Sequence, residues 1–125
     1  MNIRKSAEDY LEMILMLREQ KGEARSIDIA QGLNVTKPSV SVAMKRLREN
    51  GYILMDKDNL ITLTEAGSAI AASVYARHKA LTRFFGLLGV DDQTAREDAC
   101  KVEHDISDAT YRALLAFLEK MEAKK

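Results

Sequence analysis

The sequence predicts a mainly α-helical protein that contains one small β-hairpin. The chain has 125 residues with only one proline and six glycines, so few positions interrupt helices. Its apolar residues recur with a helical period along most of the chain. The exception is the stretch "YILMDKDNLITLT" at 52–64, which alternates on both sides of the turn-forming cluster "DKDN", as two paired strands do.

Three helices are predicted before the hairpin. The first is "AEDYLEMILMLREQ", which Ser6 is expected to cap and which "KGEA" ends. The second is the short segment "SIDIAQGL", capped by Ser26 and ended at "LNV". The third is "KPSVSVAMKRLRENG", with Pro38 in the first turn, where a missing N–H does no harm, and Gly51 at the end.

Further helices are predicted after the hairpin. Thr64 begins the long helix "TEAGSAIAASVYARHKALTRFFGLLG". The segment "VDDQTAREDACKVEHDIS" is expected to be helical from about Gln93. The last helix, in "SDATYRALLAFLEKMEAKK", starts with Ser107 or Asp108 as its cap.

The composition narrows the class of protein. Hydrophobic residues make up 46% of the chain and charged residues 30%, which suits one compact domain or two small modules. Basic and acidic residues number 19 each, so any surface for nucleic acid must be local. The single cysteine excludes an internal disulfide, and no signal peptide or membrane-spanning segment is recognisable. We therefore expect a cytoplasmic protein with a free thiol and no membrane partner.

The order of the first elements is helix, short helix, turn, helix and hairpin, which is the order of a winged helix-turn-helix. In that fold the third helix enters the major groove of DNA, and the hairpin, or wing, can touch the backbone. From Lys37 to Arg48 the third helix carries basic residues and no acidic one, and hydroxyl groups near its start suit phosphate. A basic run can also be an ordinary solvated face, but the order of elements favours DNA binding. The residues expected to contact DNA are Arg25, Ser26, Thr36, Lys37, Pro38, Ser39, Ser41, Val42, Lys45, Arg46, Arg48 and Lys57.

Few of these side chains are suited to hydrogen bonding with base edges. Val42 and Ala43 offer only apolar contact with thymine methyl groups. We therefore expect DNA shape and placement of the DNA backbone to supply much of the specificity. A fixed site of this kind requires a homodimer that reads the two half-sites of a palindromic, double-stranded operator.

The stretch "ACKVEHDIS" contains the first group of candidate metal ligands. If it is helical, Cys100, Glu103 and His104 share one face, because residues three and four apart are neighbours on a helix. Thiolate, carboxylate and imidazole are the side chains that bind transition metals. The spacing therefore permits a metal site, and equally a polar helix face that contains a cysteine.

Three further residues are candidates by their positions. Asp9 and Glu12 are three residues apart in the first helix, and His78 lies within the long helix. Each has an ordinary explanation as well. Asp9 near a helix start interacts favourably with the helix dipole, a lone histidine is more often a hydrogen-bonded or surface residue than a ligand, and Cys100 alone is most often a small buried hydrophobe. Singly, these residues leave metal binding open.

Together, these motifs resemble the diphtheria-toxin-repressor family, which includes iron-dependent and manganese-dependent repressors. The resemblance runs through "EDYLEMILML", "DIAQGLNVTKPSVSVAMKRLRENGYI", "LITLTEAGSAIA", "VYARHKALTRFFGLLGVD" and "ACKVEHDISD", and the last two are the most specific. It implies a metal-activated DNA-binding repressor with a winged helix-turn-helix domain at 1–70 and a helical metal-binding and dimerisation domain at 71–125. The ligands that the resemblance implies are Asp9, Glu12, His78, Cys100, Glu103 and His104. In length the chain resembles the short members that have no SH3-like third domain.

Two of the implied ligands favour different metals. Asp9 is similar to the manganese-dependent members, whereas iron-dependent members tend to have methionine at this position. Cys100 is similar to the iron-dependent members, whereas manganese-dependent members tend to have glutamate there. A thiolate favours Fe(II), Co(II) or Zn(II), and a carboxylate-rich set favours Mn(II). The mixed donors fit an octahedral or paired site better than a closed zinc site, and we expect Fe(II), with Mn(II) as the close alternative.

The expected function is repression of iron or manganese homeostasis genes by a dimer that divalent metal makes competent for its operator. One alternative is a metal-independent winged-helix regulator that senses a small molecule or a partner protein, with the Cys-Glu-His cluster serving only as packing. A second is a small metalloenzyme. Against the enzyme, the carboxylates do not form paired Glu-x-x-His motifs, and Cys100 has no evident base. The sequence therefore predicts a regulator and no enzyme.

Overall fold

The computed structural model describes residues 5–124, which form helices and one antiparallel hairpin. The elements are α1 (Lys5–Lys21), α2 (Ser26–Leu33), α3 (Lys37–Glu49), β1 (Ile53–Met55), β2 (Ile61–Leu63), α4 (Glu65–Leu87), α5 (Asp92–Val102) and α6 (Asp108–Ala123). The predicted fold class is confirmed. None of the helices in these residues is long and apolar enough to cross a membrane.

The chain divides into two compact units, one that runs to Ser73 and one that starts at Val74. In the first unit, α1, α2, α3 and the hairpin surround a continuous apolar core. Its side chains with no exposed surface include Leu11, Ile14, Ala24, Ile29, Val40, Ile53 and Ile61. Because this core is closed within the first unit, that unit has its own source of stability. The domain boundary at 70/71 stays a prediction.

Two of the predicted helix starts in the first unit are wrong. Ser6 lies inside α1, which includes Lys5. Arg25 holds the capping position of α2 in an extended conformation, and Ser26 is the first helical residue, so its hydroxyl is too late in the chain to cap. For α3, the Thr36 hydroxyl accepts a hydrogen bond from the Ser39 N–H at 3.3 Å, which caps the helix just before Pro38.

The hairpin is held by main-chain pairing and by one carboxylate in its turn. Ile53 lies opposite Leu63, and Met55 lies opposite Ile61. The Asp56 Oδ1 atom accepts hydrogen bonds from the Asp58 and Leu60 N–H groups at 2.8 and 3.0 Å. The turn that carries the tip of the wing is therefore closed by its own side chain.

The start of α4 lies directly against the hairpin. The Thr64 hydroxyl donates to the Gly51 carbonyl at 2.7 Å and accepts from the Gly67 N–H at 3.2 Å. A Cβ atom at Gly67 would lie 2.0 Å from the Tyr52 carbonyl oxygen, so only glycine permits this approach. The hairpin thus fixes where the long helix begins.

In the second unit, α5 is shorter than the sequence predicted. The helix ends at Val102, and residues 103–107 form a turn before α6. The Asp105 N–H donates to the Val102 carbonyl at 2.9 Å, a bond across three residues that tightens the chain and ends the helix. Ser107 then caps α6, as predicted, by accepting from the Thr110 N–H at 3.2 Å.

Candidate metal centre and DNA-binding surface

The centre of the second unit is an ion pair between an imidazole and a buried carboxylate. His78 comes from the middle of α4, and Glu103 is the capping residue directly after α5. The His78 Nδ1 atom lies 2.9 Å from Glu103 Oε2. The Glu103 residue is 1% exposed, so this charge is kept out of water by the fold and depends on its neighbours.

The thiol of Cys100 reaches the same imidazole from the solvent side. Its Sγ atom lies 3.8 Å from His78 Nδ1, and Cys100 is an exposed free cysteine. The donor atoms of Cys100, His78 and Glu103 all lie within 4.8 Å of one another. Three side chains of the types that bind transition metals therefore converge at one point.

The two neighbours of His78 hold it in its charged form. Hydrogen bonds to Cys100 and to Glu103, against the opposing effect of burial, raise the pKa of His78 from 6.5 to about 10. A metal ion binds only the neutral imidazole, so His78 would have to release its proton to serve as a ligand. The proton and a metal ion would therefore compete for the imidazole.

The other oxygen of Glu103 faces the second histidine of the stretch. His104 Nε2 lies 3.5 Å from Glu103 Oε1, and the side chain of His104 is 3% exposed. Glu103 Oε1 is buried, and apart from this 3.5 Å ion-pair contact it accepts no hydrogen bond from any residue that the structure describes. A buried oxygen without a hydrogen bond is costly, and a cation would satisfy it. The donors of this unit therefore fit a divalent metal ion.

The stretch is helical only as far as Val102, so the condition under which Cys100, Glu103 and His104 would share one helix face does not hold for all three. Cys100 lies on α5, Glu103 directly follows the helix, and His104 lies in the turn after it. The donors of Cys100 and Glu103 meet because His78 reaches them from α4. The chain therefore assembles this group from two helices and a turn.

The remaining two predicted ligands, Asp9 and Glu12, belong to α1 in the first unit. Glu12 is 6% exposed, and Asp9 is half-buried. Among the described residues, Glu12 and Glu103 are the buried acidic side chains. A carboxylate is rarely buried in an apolar core unless it is paired. The assignment of Asp9 and Glu12 as ligands stays a prediction.

The α3 helix presents a basic surface opposite its apolar face. Val40, Met44 and Leu47 are buried on one side at 0, 2 and 5% exposure. The predicted DNA contacts are exposed except for Ser26, which is half-buried. The exposed members are Arg25, Thr36, Lys37, Pro38, Ser39, Ser41, Val42, Lys45, Arg46, Arg48 and Lys57. The helix can therefore approach DNA without disturbing its packing.

Two arginines of this surface also contact the wing. Arg25 Nη1 donates to the Asp58 carbonyl at 3.0 Å, and Arg48 Nη1 lies 3.9 Å from the Met55 sulfur. Both side chains remain exposed. They connect the start of α2 and the end of α3 to the hairpin, which positions the wing beside the basic surface.

Sequence reasoning missed Arg77, which lies directly before His78. Its guanidinium donates to the Ile106 carbonyl at 2.6 Å and to Asp108 Oδ1 at 2.5 Å. In the sequence, Arg77 is recognisable only as a basic residue beside the candidate ligand His78. That position did not indicate its contacts with Ile106 and Asp108.

Both parts of the chain are similar to domains of known proteins. Residues 2–59 match the N-terminal DNA-binding domain of iron-dependent repressors, and residues 64–124 match their metal-binding and dimerisation domain. The chain is 38% identical over 117 residues to the transcriptional regulator MntR of Salmonella typhimurium, covering 94% of this chain and 74% of that protein. It is 37% identical over 121 residues to an uncharacterized HTH-type transcriptional regulator of Methanocaldococcus jannaschii, covering 95% and 97% of the two chains.

A solved structure shares the same fold. The manganese regulator SloR superposes with a TM-score of 0.79 and 32% sequence identity, over 95% of this chain and 55% of that one. The present chain thus spans a little over half the length of that regulator.

Proposed function

Because the chain belongs to the diphtheria-toxin-repressor family of metal-dependent transcriptional regulators, we propose that it is a metal-activated DNA-binding repressor of iron or manganese homeostasis genes. The observation that carries the proposal is the convergence of His78, Cys100 and Glu103 in a chain whose α3 helix is basic and exposed. The His78–Cys100–Glu103 group offers donor atoms for a metal ion. The α3 helix offers positively charged side chains for DNA phosphate.

The proposed ligands are Asp9, Glu12, His78, Cys100, Glu103 and His104. These residues would hold a divalent ion, which would supply the positive charge that the donors lack once His78 is neutral. Glu103 directs one oxygen toward each histidine, and its buried Oε1 atom, which accepts no hydrogen bond, would be satisfied by the ion. The inclusion of Asp9 and Glu12 rests on the family resemblance and on the burial of Glu12.

The ion we propose is Fe(II) or Mn(II). Most of the relatives whose names indicate a metal are manganese regulators. This supports Mn(II) and does not support a preference for Fe(II). The Cys100 thiolate favours the later and softer ion, which supports Fe(II). Anaerobic competition between the two ions for the purified protein decides between them, and exclusion of air keeps both Fe(II) and the thiol reduced.

We propose a homodimer that binds a palindromic double-stranded operator. Two copies of α3 are needed to contact two half-sites. The second unit supports self-association because it exposes large apolar side chains near the end of α4 and along α6. These are Leu87, Leu88, Phe117 and Met121, which are 46, 65, 44 and 37% exposed. Analytical ultracentrifugation of the chain, and of a Leu88→Glu variant, measures this association.

Metal controls DNA binding through a shift of populations. An ion that binds one conformation more tightly favours it by no more than its differential affinity. Activation should weaken at low pH, because the ligands must be deprotonated. The proposed switch therefore has a metal-bound state with high operator affinity and a metal-free state with low affinity.

The test is DNA binding with and without metal under anaerobic conditions. We expect Fe(II) or Mn(II) to raise operator affinity in the wild type, and Glu103→Gln to abolish the increase. Gln preserves the size of the buried side chain and removes its charge. Glu97→Gln is the matched control, because Glu97 is an exposed carboxylate on α5, the helix that Glu103 directly follows, and it should behave as the wild type. Equal DNA affinity with and without metal would contradict the proposal and favour the metal-independent regulator.

A further inference from the structure

Arg77 joins the long helix to the turn that follows α5. It lies beside His78 in α4, and its side chain is 15% exposed. It donates to the Ile106 carbonyl oxygen and to the carboxylate of Asp108 at 2.6 and 2.5 Å. Its guanidinium carbon also lies 5.1 Å from the centre of the Tyr111 ring. One planar group thus fixes three points around the start of α6.

The 103–107 turn needs such an anchor because it lies outside any helix. The turn begins after Val102 and ends before Asp108. At its start, the Glu103 and Asp105 N–H groups still bond to carbonyls of α5. At its end, Arg77 of α4 donates to the Ile106 carbonyl and, just beyond the turn, to Asp108. Backbone that is not in a helical ladder depends on tertiary contacts of this kind for its position.

This turn carries two of the candidate ligands. Glu103 and His104 lie at its start, and the 2.9 Å contact between Glu103 and His78 connects the same two parts of the chain that Arg77 connects. A movement of the turn relative to α4 changes that distance directly. Metal sites accept ligand displacements of only a few tenths of an ångström.

We propose that Arg77 is a positioning residue for the metal centre. By binding Ile106 and Asp108, it holds the 103–107 turn against α4 and so keeps Glu103 at the short distance from His78 that metal binding requires, with His104 beside Glu103. Arg77 touches no metal itself. The inference rests on the proposed function. Substitution of a residue that orients a metal ligand typically lowers metal affinity by about 10- to 100-fold.

A purely structural role is the competing explanation, and Arg83 provides the control for it. Arg83 lies six residues later in α4, and it forms an ion pair with Glu122 of α6. Both arginines therefore connect the same two helices, but only the Arg77 contacts include the end of the turn. If ion pairing between α4 and α6 were all that mattered, the two arginines would behave alike.

The experiment is an anaerobic Co(II) titration of the full chain, because Co(II) reports thiolate and imidazole ligation by its absorption bands. We expect Arg77→Gln to weaken Co(II) binding by about 10-fold or more and to alter the bands. Arg77→Lys should recover part of the affinity, since it keeps one donor and the charge. Arg83→Gln should keep the wild-type affinity and spectrum. Amide hydrogen exchange of the metal-free protein should show faster exchange at 103–107 in Arg77→Gln only.

The outcomes separate this inference from the proposed function. Wild-type protein that fails to bind Co(II) overturns both. Wild-type binding together with wild-type affinity, spectrum and exchange in Arg77→Gln overturns only the positioning role, even if that variant is less stable. Should Arg77→Gln not fold, Asp108→Asn replaces it, because it weakens one Arg77 contact and leaves the contact with Ile106. The same loss of Co(II) affinity supports the proposal in that variant, and its absence contradicts it.

Discussion

The two units differ in where they place their functional side chains. In the first unit, α3 turns Val40 and Met44 into the core and Lys45 and Arg46 toward solvent. In the second unit, Glu103 is both a candidate ligand and one of the most buried residues of the structure. On α3, packing and the predicted DNA contacts use separate residues, whereas Glu103 in the second unit is both a packed residue and a candidate ligand. DNA affinity should therefore be adjustable without loss of stability, whereas metal affinity should not.

The largest effect should come from the packing face of α3. Met44→Ala removes a side chain that is 2% exposed and should lower the free energy of unfolding by about 2–5 kcal/mol. Lys45→Ala, at the next position on the exposed face, should change it by less than about 0.5 kcal/mol. Urea denaturation of both variants measures the difference. Similar losses in the two variants would show that the faces of α3 are not separate.

A smaller but definite loss should follow removal of a ligand in the second unit. Glu103→Ala in metal-free protein leaves His78 without its carboxylate and opens a space, so we expect a loss of about 2 kcal/mol. This is below the usual range for a broken buried pair because His78 is partly exposed and can lose its proton. Thermal and urea unfolding in the presence of chelator measure the loss. Unchanged stability would contradict the dual role of Glu103.

On the DNA side, Lys45→Ala should weaken binding about equally on all sequences. A phosphate contact contributes no base discrimination, and its removal should lower the slope of log affinity against log salt by about one unit. Fluorescence anisotropy at several salt concentrations measures both quantities. Lys101→Ala is the control, since Lys101 is an exposed lysine on α5 outside the basic surface. An equal effect of the two changes would mean that α3 has no special role.

The smallest expected change in stability is at the first turn of α5. This turn is an ordinary capped helix start, whereas the last turn of the same helix carries the candidate ligand Cys100. The Thr94 N–H donates to Asp91 Oδ2 at 3.0 Å and lowers the pKa of Asp91 below 3.8. This stabilisation is fully present above pH 3.8 and is lost as the pH falls through the lowered value. Asp91→Asn keeps a capping oxygen, so its Tm should match the wild type near neutral pH and fall less steeply in acid. Parallel Tm curves would contradict this role.

The sequence predicted the first unit more completely than the second, for a physical reason. Val40, Ala43, Met44 and Leu47 follow a helical period, and local periodicity is enough to place a helix face. The end of α5 has no such signal, because "KVEHDIS" contains no glycine or proline to stop a helix at Val102. Local cap signals succeeded only in part: Ser107 caps α6 as predicted, whereas the caps predicted at Ser6 and Ser26 are wrong.

The partners of the candidate site could not be predicted in the same way. His78 and Glu103 are 25 residues apart in the chain, and Arg77 reaches Ile106 over 29 residues. No local pattern determines contacts at such separations. The family resemblance supplied the ligand types, and the structure supplied the arrangement of His78, Cys100 and Glu103 and the support from Arg77.

The turn of the wing has a consequence for the thermodynamics of DNA binding. The Asp56 carboxylate already accepts hydrogen bonds from the Asp58 and Leu60 N–H groups, and Arg25 donates one to the Asp58 carbonyl. The loop around Lys57 therefore has little conformational entropy left to lose when it meets a phosphate. Binding through this wing restricts one lysine side chain rather than a whole loop, so a larger part of the electrostatic attraction remains as affinity.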